Sequence, residues 1–469
     1  MKDLRKELLL IIPSLLVPLF SVAQQFIGLN TRDYSAIHHM ATNPAWVNAS
    51  ENGMEIMLFS ANGLVGNNAY SFKKKFIFNG FNGRAIEGKD YIRDPQPHQK
   101  HLWANIEING PAISFKYKNE HHFGVFTRAR QIYRAGNIAS SEFAMLGQET
   151  PELFYKQQIE FRKAGFTTHT FAEIGFSYGR VLRNDYYNIL RGGVSLKYLM
   201  GFVAGTIYTE SLDYNRDSVD RIGYVKGDVS MLYTHNIGPF IDNNAQNDLT
   251  SWFNRAGRWG LGLDIGAQYE YHPNGTPNEP TPYLFSIAAS LTDMGGIRYI
   301  ADTGSGTYDV SVNNIDTGRL FKISYEGIND YMMRLEKDTL PGIREDVKKF
   351  RMGLPTAFRL NIDYNASENM NLAVNLLLNL RGNGGEVYRP AYVNYINFTP
   401  SFGGKNFKFG LPFTMMGYQT FAIGTIVRAG PFYIGSTSAI SMIMSKKIRN
   451  IDGYVGFVWK FRENERHYF

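Results

Sequence analysis

Three groups of residues have side chains and spacings that could perform chemistry, and the first is a glycine run. Gly260-x-Gly262-x-x-x-Gly266 resembles the phosphate-binding loop of a dinucleotide site. In that loop the glycines form a turn between a strand and a helix, and the second interval is one residue shorter. Here the glycines alternate with larger residues, so all three lie on one face of a predicted strand. The run therefore indicates small residues on the inner face of a sheet rather than a nucleotide site.

Histidine, serine and aspartate form the second group, because they build hydrolase and metal sites. The adjacent pairs His38–His39 and His121–His122 cannot chelate one ion on a strand, where neighbours point to opposite faces. The sequence has no nucleophile elbow and no metal-ligand spacing. It also has no cysteine, which excludes disulfides, thiolate metal sites and a lipoprotein anchor. We therefore predict no catalytic residues, no metal site, no cofactor and no enzymatic activity.

The third group consists of charged and polar residues that alternate with apolar ones along several segments. We predict that they face the inside of a barrel as solvated charges, with acids and bases paired there; a role in ion selectivity is the alternative. The predicted inward-facing residues are Glu173, Lys197, Asp264, Gln268, Glu270, Arg359 and Asp363, together with the basic residues Lys116, Lys118, Arg128 and Arg130.

Segments with strict alternation must position these residues, and the clearest is Trp259–Tyr271. Its odd positions are all apolar or aromatic, whereas its even positions are small, charged or amide-bearing. A strand of this kind has one apolar face with aromatic residues at both ends. That arrangement is typical of a strand that faces lipid between two membrane interfaces. A strand of a soluble sandwich also alternates, but it rarely carries aromatic residues at both ends of the buried face.

The composition favours one large membrane barrel. The chain is rich in tyrosine (29 residues), phenylalanine (33 residues) and glycine (46 residues), whereas charged residues make up only 19% of it. The net charge of +7 is spread along the chain. The mean hydropathy is slightly negative, at -0.27. A barrel has this near-neutral hydropathy because each lipid-facing residue alternates with a polar one that faces the lumen. The dispersed charge does not favour nucleic-acid binding.

The extreme N-terminus has the pattern of a secretory signal peptide. A mainly basic start, Lys2 to Lys6, precedes the apolar run Leu8 to Phe20, and Ser21-Val22-Ala23 has small residues for a signal peptidase. We predict cleavage after Ala23, with residues 1–23 removed. The alternative is an uncleaved anchor helix, which two prolines within the short run disfavour. Together with the barrel pattern, a signal peptide predicts the outer membrane of a Gram-negative bacterium.

Connection lengths predict the topology. Short turns at 118–121, 183–188, 272–281, 365–369, 403–405 and 429–431 alternate with long segments, as in an up-and-down barrel with long outer loops. We predict an all-β transmembrane antiparallel up-and-down barrel of about 14 strands, with a range of 12–16 because strands near 391–414 are ambiguous. The clearest hairpin is Phe171–Leu182 with Ile189–Ala204, and the most helix-like stretch is Tyr331 to Phe350. Breaks at Gly417, Gly430-Pro431 and Lys446-Lys447 separate further short strands.

The predicted regions are 24–52 for an N-terminal lumen segment, 53–461 for the barrel and 462–469 for a polar extension.

A family resemblance rests on short motifs that cover most of the mature chain. Asn43-Pro44-Ala45, just before the first strand, resembles a segment of FadL-like outer-membrane barrels, the long-chain fatty-acid transporter superfamily, and also of barrel subunits of type IX secretion. Further matches are Gly28–Ser35, Gly66-Asn67-Asn68, Leu291–Tyr299, Leu354-Pro355 and Tyr454–Phe457. The resemblance implies a fourteen-stranded barrel whose N-terminal segment enters the lumen, with passage of hydrophobic ligands as one activity.

The residues before the first strand support a lumen position for Asn43, Pro44 and Ala45. The stretch Tyr34 to Trp46 is too polar to face lipid and too apolar for a free tail. The glycines of Trp259–Tyr271 leave space beside that strand. We therefore predict that Asn43-Pro44-Ala45 plugs the barrel, with Asn43 hydrogen-bonded to lumen backbone or charge. The alternative is an N-terminal arm that lies on the surface.

Two functions remain open from the sequence. The first is a non-enzymatic outer-membrane barrel that passes or holds a hydrophobic ligand, and the alternative is a structural or interaction barrel in a secretion or cell-surface assembly. The expected partners are outer-membrane lipid, a hydrophobic small molecule, secretion or surface proteins, and the barrel-assembly machinery, which would recognise the last strand through Val455, Phe457, Trp459 and Phe461. A lateral opening in the wall favours transport, whereas a fully plugged lumen with an exposed platform favours the interaction barrel.

Overall fold

The computed structural model describes most of the chain as one closed sheet. The described residues are 26–29, 36–49, 53–74, 91–94, 99–117, 120–138, 158–218, 221–237, 259–275, 282–316, 343–381, 389–404, 406–417, 420–445 and 447–461. The predicted signal peptide 1–23 and the polar extension 462–469 lie outside them.

Short helices precede and interrupt a series of strands. The helices are α1 (Ala36–His39), α2 (Ala439–Met444) and two 3-10 turns (Pro44–Ala49 and His235–Ile237). The strands of the first half are β1 (Met54–Asn67), β2 (Tyr70–Phe72), β3 (Tyr91–Arg93), β4 (Lys100–Tyr117), β5 (His121–Ile138), β6 (Gln158–Asn184), β7 (Asn188–Ser218), β8 (Arg221–Tyr233), β9 (Trp259–Tyr271) and β10 (Phe285–Ile300). Those of the second half are β11 (Gly306–Asp316), β12 (Ile343–Asp346), β13 (Lys349–Gly353), β14 (Ala357–Ser367), β15 (Met370–Asn379), β16 (Tyr395–Gly403), β17 (Phe407–Gly410), β18 (Phe413–Met416), β19 (Thr420–Ile423), β20 (Thr425–Ala429), β21 (Phe432–Ser436) and β22 (Asn450–Phe461).

The barrel closes because β1 pairs antiparallel with both β4 and β22. Between them the wall runs through β5, β6, β7, β9, β10, β14, β15 and β16, then through β17 with β18, β20 with β19, and β21. Two broken strands, β17–β18 and β19–β20, each occupy one position in the wall. The result is a closed antiparallel barrel of 14 strands, which confirms the predicted fold class and strand number.

The two faces of β9 differ as the alternation predicts. Leu261 and Ile265 point outward, with 63% and 42% of their surface exposed, whereas Asp264, Gln268 and Glu270 are buried inside the barrel. The backbone of β9 pairs with β7 on one side and β10 on the other, so its hydrogen-bonding groups are used within the wall. The outer face is therefore apolar and the inner face polar, as a strand between lipid and lumen requires.

Several strands continue past the wall and form an outer sheet. Strand β6 has 27 residues and β7 has 31, against the roughly 9–11 that cross a membrane. Beyond the wall β7 pairs with β8, β8 with β11, and β11 with β12. The predicted hairpin Phe171–Leu182 with Ile189–Ala204 is therefore the inner part of a longer hairpin. Parts of the segments that were predicted to be long loops are strands.

Tyr331 to Phe350 is the most helix-like stretch of the sequence, but its described part, from residue 343, is mostly strand. Ile343–Asp346 pairs with β11, and Lys349–Gly353 pairs with β10. These pairings give its backbone groups partners in the sheet, so tertiary contacts outweigh local helix propensity. None of the helices among the described residues is long and apolar enough to cross a membrane.

The orientation of β9 leads to a test of the lipid face. Replacing Leu263, which lies on the outer face of β9, with arginine should lower the free energy of unfolding by about 2–4 kcal/mol, since a charge then meets hydrocarbon. Urea titration of the barrel refolded into phospholipid vesicles measures the change. Leu263→Met is the matched control and should cost under about 1.5 kcal/mol. Equal costs for the two variants would contradict the assigned lipid face.

Candidate functional site

The N-terminal segment lies inside the barrel, and Asn43 is its central contact. The Asn43 side chain is fully buried, and its Nδ2 donates to the carbonyl oxygens of Ala267 on β9 at 3.3 Å and Ala289 on β10 at 3.2 Å. The backbone N–H of Ala45 donates to Asn43 Oδ1 at 3.0 Å. One amide side chain thus joins two wall strands to the 3-10 turn that begins at Pro44.

Two wall glycines allow this close approach. A Cβ at Gly266 on β9 would overlap Asn43 Oδ1, and a Cβ at Gly193 on β7 would overlap the backbone of Pro44 and Ala45. The sequence analysis identified space beside the glycines of β9, but it did not identify Gly193. The two glycines form the concave patch of wall against which Asn43-Pro44-Ala45 packs.

Apolar side chains hold the remainder of the segment in the barrel. Phe26, Leu29, Ile37, Met40 and Val47 are buried in one cluster with wall residues of β1, β4, β5, β20, β21 and β22. Polar contacts add to this packing at two points in the segment. The Tyr454 hydroxyl donates to the carbonyl oxygen of Ile27 at 3.1 Å, and the Ile37 N–H donates to the Glu55 carboxylate at 3.2 Å. The segment thus contacts the wall on several sides.

A cluster of buried charges lies farther along the lumen. Glu173 on β6 accepts from Arg128 Nε at 2.6 Å and from Arg130 Nη2 at 2.7 Å. Lys197 on β7 forms ion pairs with Asp264 at 2.6 Å and with Asp293 at 2.7 Å. All these side chains are at most 2% exposed. The predicted pairing of Glu173 and Asp264 with bases is present, and the pairs are buried rather than solvated because protein fills the surrounding lumen.

Asp293 joins the two halves of this cluster, and the sequence analysis missed it. Its carboxylate accepts from both terminal nitrogens of Arg130, at 2.9 Å each, as well as from Lys197. Strict alternation from Leu291 would place Asp293 on the lipid face. The register of β10 shifts between Leu291 and Met294, and Asp293 has a φ of 58°, so the side chain turns inward. Its position within the motif Leu291–Tyr299 was the only signal in the sequence.

An inward-folded segment after β15 completes the cluster. The Tyr392 hydroxyl, buried in the lumen, lies 2.8 Å from Asp293 Oδ2 and 2.6 Å from Arg130 Nη1. Arg359 on β14 stacks over the Tyr392 ring at 5.4 Å and donates to Thr292 at 3.1 Å. A cavity of about 10 Å³ beside Arg130 and Tyr392 is large enough for roughly one water molecule.

The other predicted lumen residues lie apart from this cluster. Glu270 forms an ion pair with Arg191 at 2.7 Å and accepts a hydrogen bond from Gln268 at 2.9 Å, nearer the short turns. Asp363 is buried on β14, Lys116 is partly buried near the start of β1, and Lys118 lies outside the described residues. Among the described residues no group of three or more His, Asp or Glu side chains could hold a metal ion.

The wall has a lateral interruption between β19 and β22. Strand β21 ends at Ser436, so β19 pairs with β18 on one side but with no described strand on the other. Helix α2 lies in that place and contacts both β19 and β22. This arrangement replaces one strand of wall by a helix of 6 residues.

Hydrogen bonds from α2 and from the turn before it reach both edges of the interruption. Ser441 Oγ accepts the backbone N–H of Ile423 at 2.8 Å, which gives the edge of β19 a partner. On the other side, Asp452 of β22 accepts from the N–H of Thr437 at 2.6 Å, from Ser436 Oγ at 3.1 Å and from Ser438 Oγ. At this interruption, side chains therefore supply the hydrogen-bond partners that a neighbouring strand supplies elsewhere in the wall.

A cavity of about 230 Å³ lies between α2 and the two strand edges. Its lining includes Phe421, which is 62% exposed on the outer face, and Ala422, which is buried on the inner face. Ser438 and Met442 line the side formed by α2 and its preceding turn. Because residues of both faces line it, the cavity lies across the thickness of the wall.

Comparison with known proteins gives a family match and similar folds. Residues 44–437 match the model of a family described as a family of unknown function, DUF5723. No curated protein matches the chain. The chain is similar to the translocator domain of the autotransporter NalP from Neisseria meningitidis, with 8% identity, 87% of this chain and 89% of the other covered, and a TM-score of 0.34.

Two further solved structures are also similar to the chain. One is a deltaS2 mutant of the monoaromatic hydrocarbon channel TodX, with 9% identity, coverages of 91% of this chain and 93% of the other, and a TM-score of 0.37. The other is a FadL homologue from Pseudomonas aeruginosa, with 7% identity, coverages of 90% and 92%, and a TM-score of 0.28.

The buried charges lead to a stability prediction. Glu173→Gln removes one negative charge from between Arg128 and Arg130, so it should lower the free energy of unfolding by about 3–5 kcal/mol. Urea titration in vesicles measures the loss. Asp213→Asn, which removes the partner of the exposed Arg162, is the matched control and should cost under about 1 kcal/mol. Similar costs for both would mean that the lumen charges are hydrated.

The wall glycines lead to a prediction about the N-terminal segment. Gly266→Ala introduces a Cβ that overlaps Asn43 Oδ1, so it should displace the segment and raise single-channel conductance in planar bilayers. Deleting residues 24–48 should raise conductance further. Gly453→Ala is the control, because a Cβ there lies 3.9 Å from its nearest neighbour, the Gly435 carbonyl oxygen. Unchanged conductance in a correctly folded deletion variant would reject occlusion of the lumen.

Proposed function

The chain belongs to the family of unknown function DUF5723, and we propose that it is a non-enzymatic outer-membrane barrel that passes an apolar molecule sideways through its wall. The lateral interruption at α2 carries this proposal. A closed barrel isolates its lumen from lipid, whereas this wall contains a cavity lined from both faces. A route from lumen to lipid suits an apolar molecule, because hydrocarbon is the environment in which such a molecule is stable.

The filled lumen supports a lateral rather than an axial route. The N-terminal segment and Asn43-Pro44-Ala45 occupy the barrel beside β7, β9 and β10, and the Arg130–Asp293 cluster lies farther along. A molecule that crossed the whole lumen would have to separate these buried ion pairs. The cavity at α2 is lined by none of these residues. Displacing a short helix involves far fewer contacts.

The exterior of the barrel and the start of the chain support an outer-membrane location. Large apolar side chains such as Phe176, Leu196 and Leu261 are more than half exposed on the outer face of neighbouring strands. In water such a surface would drive association, whereas in a bilayer it meets hydrocarbon. The signal-peptide pattern of residues 1–23 supports export to the compartment from which such barrels insert.

The outer sheet favours a second candidate, an interaction barrel in a secretion or cell-surface assembly. Strands β6, β7, β8 and β11 project a paired sheet beyond the wall. Its surface carries exposed charges, among them the Arg162–Asp213 pair. A rigid platform of this kind suits the binding of a protein partner, and the filled lumen is compatible with it.

Reversible cross-linking across the cavity tests transport. The chain has no cysteine, so Ala422→Cys with Ser441→Cys gives two unique thiols that line the same cavity. In cells that express the barrel, a short bis-methanethiosulfonate linker should reduce uptake of the apolar dye N-phenyl-1-naphthylamine to the level of cells without the barrel. A reducing agent should restore uptake, because it releases α2 again.

The single variant Ser441→Cys, treated with the same reagent, is the control and should keep its uptake. Uptake that the linker leaves unchanged would reject passage at α2. If expression of the barrel never raises dye uptake, transport of apolar molecules is rejected and the interaction barrel is favoured.

A further inference from the structure

Both ends of the segment that contains α2 are attached at the start of β22. Before the helix, the Thr437 N–H and the Ser438 hydroxyl donate to the carboxylate of Asp452, the third residue of β22. After the helix, the chain returns to the wall at Asn450, where β22 begins. The connecting residues 437–449 therefore form a loop whose two ends are held close together on one strand.

The attachment before the helix is buried and closely packed. Ser436, Thr437 and Ser438 are at most 8% exposed, and Asp452 also accepts from Ser436 Oγ at 3.1 Å. A Cβ at Gly424 would overlap the Ser436 carbonyl oxygen and the Thr437 backbone, so the turn lies directly against the wall. Movement of this turn would break several contacts at once.

The attachment after the helix is a backbone bridge. The Phe72 N–H donates to the carbonyl oxygen of Ile448 at 2.8 Å, and the Ile448 N–H donates to that of Phe72 at 3.0 Å. Lys74, two residues after Phe72, donates through its long and exposed side chain to the carbonyl oxygen of Ile443. The backbone bridge fixes this end of the loop, whereas a lysine side chain can follow a helix that moves.

The contact between α2 and β19 is much weaker. Among the described residues, one hydrogen bond joins them, from the Ile423 N–H to Ser441 Oγ at 2.8 Å. All six residues of α2 are described, and none of them is buried. Residues of both α2 and β19 line the cavity of about 230 Å³, so the two elements lack packing contacts there.

We propose that α2 is hinged on β22 and opens on the side of β19, with Ser441 as the residue that holds it closed. Asp452 and the bridge at Ile448 fix the two ends of the hinge, and the helix between them turns away from β19. This proposal deepens the proposed function and rests on it, because such an opening has a role only if a molecule passes at α2. A hinge of this kind keeps its ends fixed and moves what lies between them.

The hydrogen bonds favour opening on the β19 side rather than on the β22 side. Opening at β19 separates only the Ile423 N–H from Ser441. Opening at β22 would remove three donors from the buried carboxylate of Asp452. A buried charge without donors costs far more than one unpaired N–H, so the β19 side opens more easily.

Two cysteine pairs distinguish the moving side from the fixed end. In Phe72→Cys with Ile448→Cys, a disulfide can form across the antiparallel bridge. Uptake of N-phenyl-1-naphthylamine should be the same before and after oxidation of this pair, because that end of the loop does not move. Linking Ala422→Cys to Ser441→Cys should instead block uptake. A Phe72–Ile448 disulfide that blocks uptake, with recovery on reduction, would overturn the hinge.

Removing the Ser441 hydroxyl tests the closed position directly. Ser441→Ala should raise dye uptake by roughly two- to tenfold, the range that corresponds to one lost hydrogen bond. Ser230→Ala, which removes a hydroxyl bonded to Thr307 in the outer sheet, is the matched control and should keep the wild-type uptake. Unchanged or lower uptake by a Ser441→Ala barrel that migrates as a folded band would overturn the assignment of Ser441.

The hinge and the transport proposal fail separately. Uptake that is insensitive to the Ala422–Ser441 linker rejects passage at α2 itself. Uptake that this linker blocks, and that the Phe72–Ile448 disulfide blocks as well, keeps passage at α2 and rejects the hinge.

Discussion

Backbone hydrogen bonding within hydrocarbon is the constraint on which the rest of this structure depends. A membrane interior supplies no water, so every N–H and C=O of the wall needs a partner in the protein. The pairing of β1 with β22 meets that need by closing the sheet. At the end of β21 the wall cannot meet it with a strand, and there Ser441 and Asp452 provide side-chain partners instead. The interruption at α2 therefore occurs where side chains satisfy the edge.

The same constraint explains the contents of the lumen. Once β9 and β10 have used their backbone groups in the wall, the carbonyl oxygens of Ala267 and Ala289 still have capacity for a second acceptor bond, which Asn43 uses. Farther along, Glu173 and Asp293 each accept from two cations, so the buried charges are compensated within the protein. A lumen filled in this way holds its strands in register from the inside as well as through the wall.

Alternation made the wall and its inner face predictable from the sequence. It identified the two faces of β9, and the connection lengths led to the strand number. It could not identify Asp293, because a bulge in β10 exchanges the inward-facing and outward-facing positions that follow it. It also missed α2: the short apolar run between Gly430-Pro431 and Lys446-Lys447 is compatible with a strand or with a helix. Which of the two forms there depends on whether β19 and β22 have a third strand between them, and that is a property of the whole barrel.

The closure of the wall by β1 and β22 sets the order in which this protein can assemble. These are the first and last strands of the wall, so the ring cannot close before the whole chain has been made. The N-terminal segment is synthesised first, yet its partners Ala267, Ala289 and Tyr454 come much later in the chain. The segment can therefore complete these contacts only after the later strands are in place. Contacts this distant in sequence make folding slow, because much of the chain must be brought together before they can form.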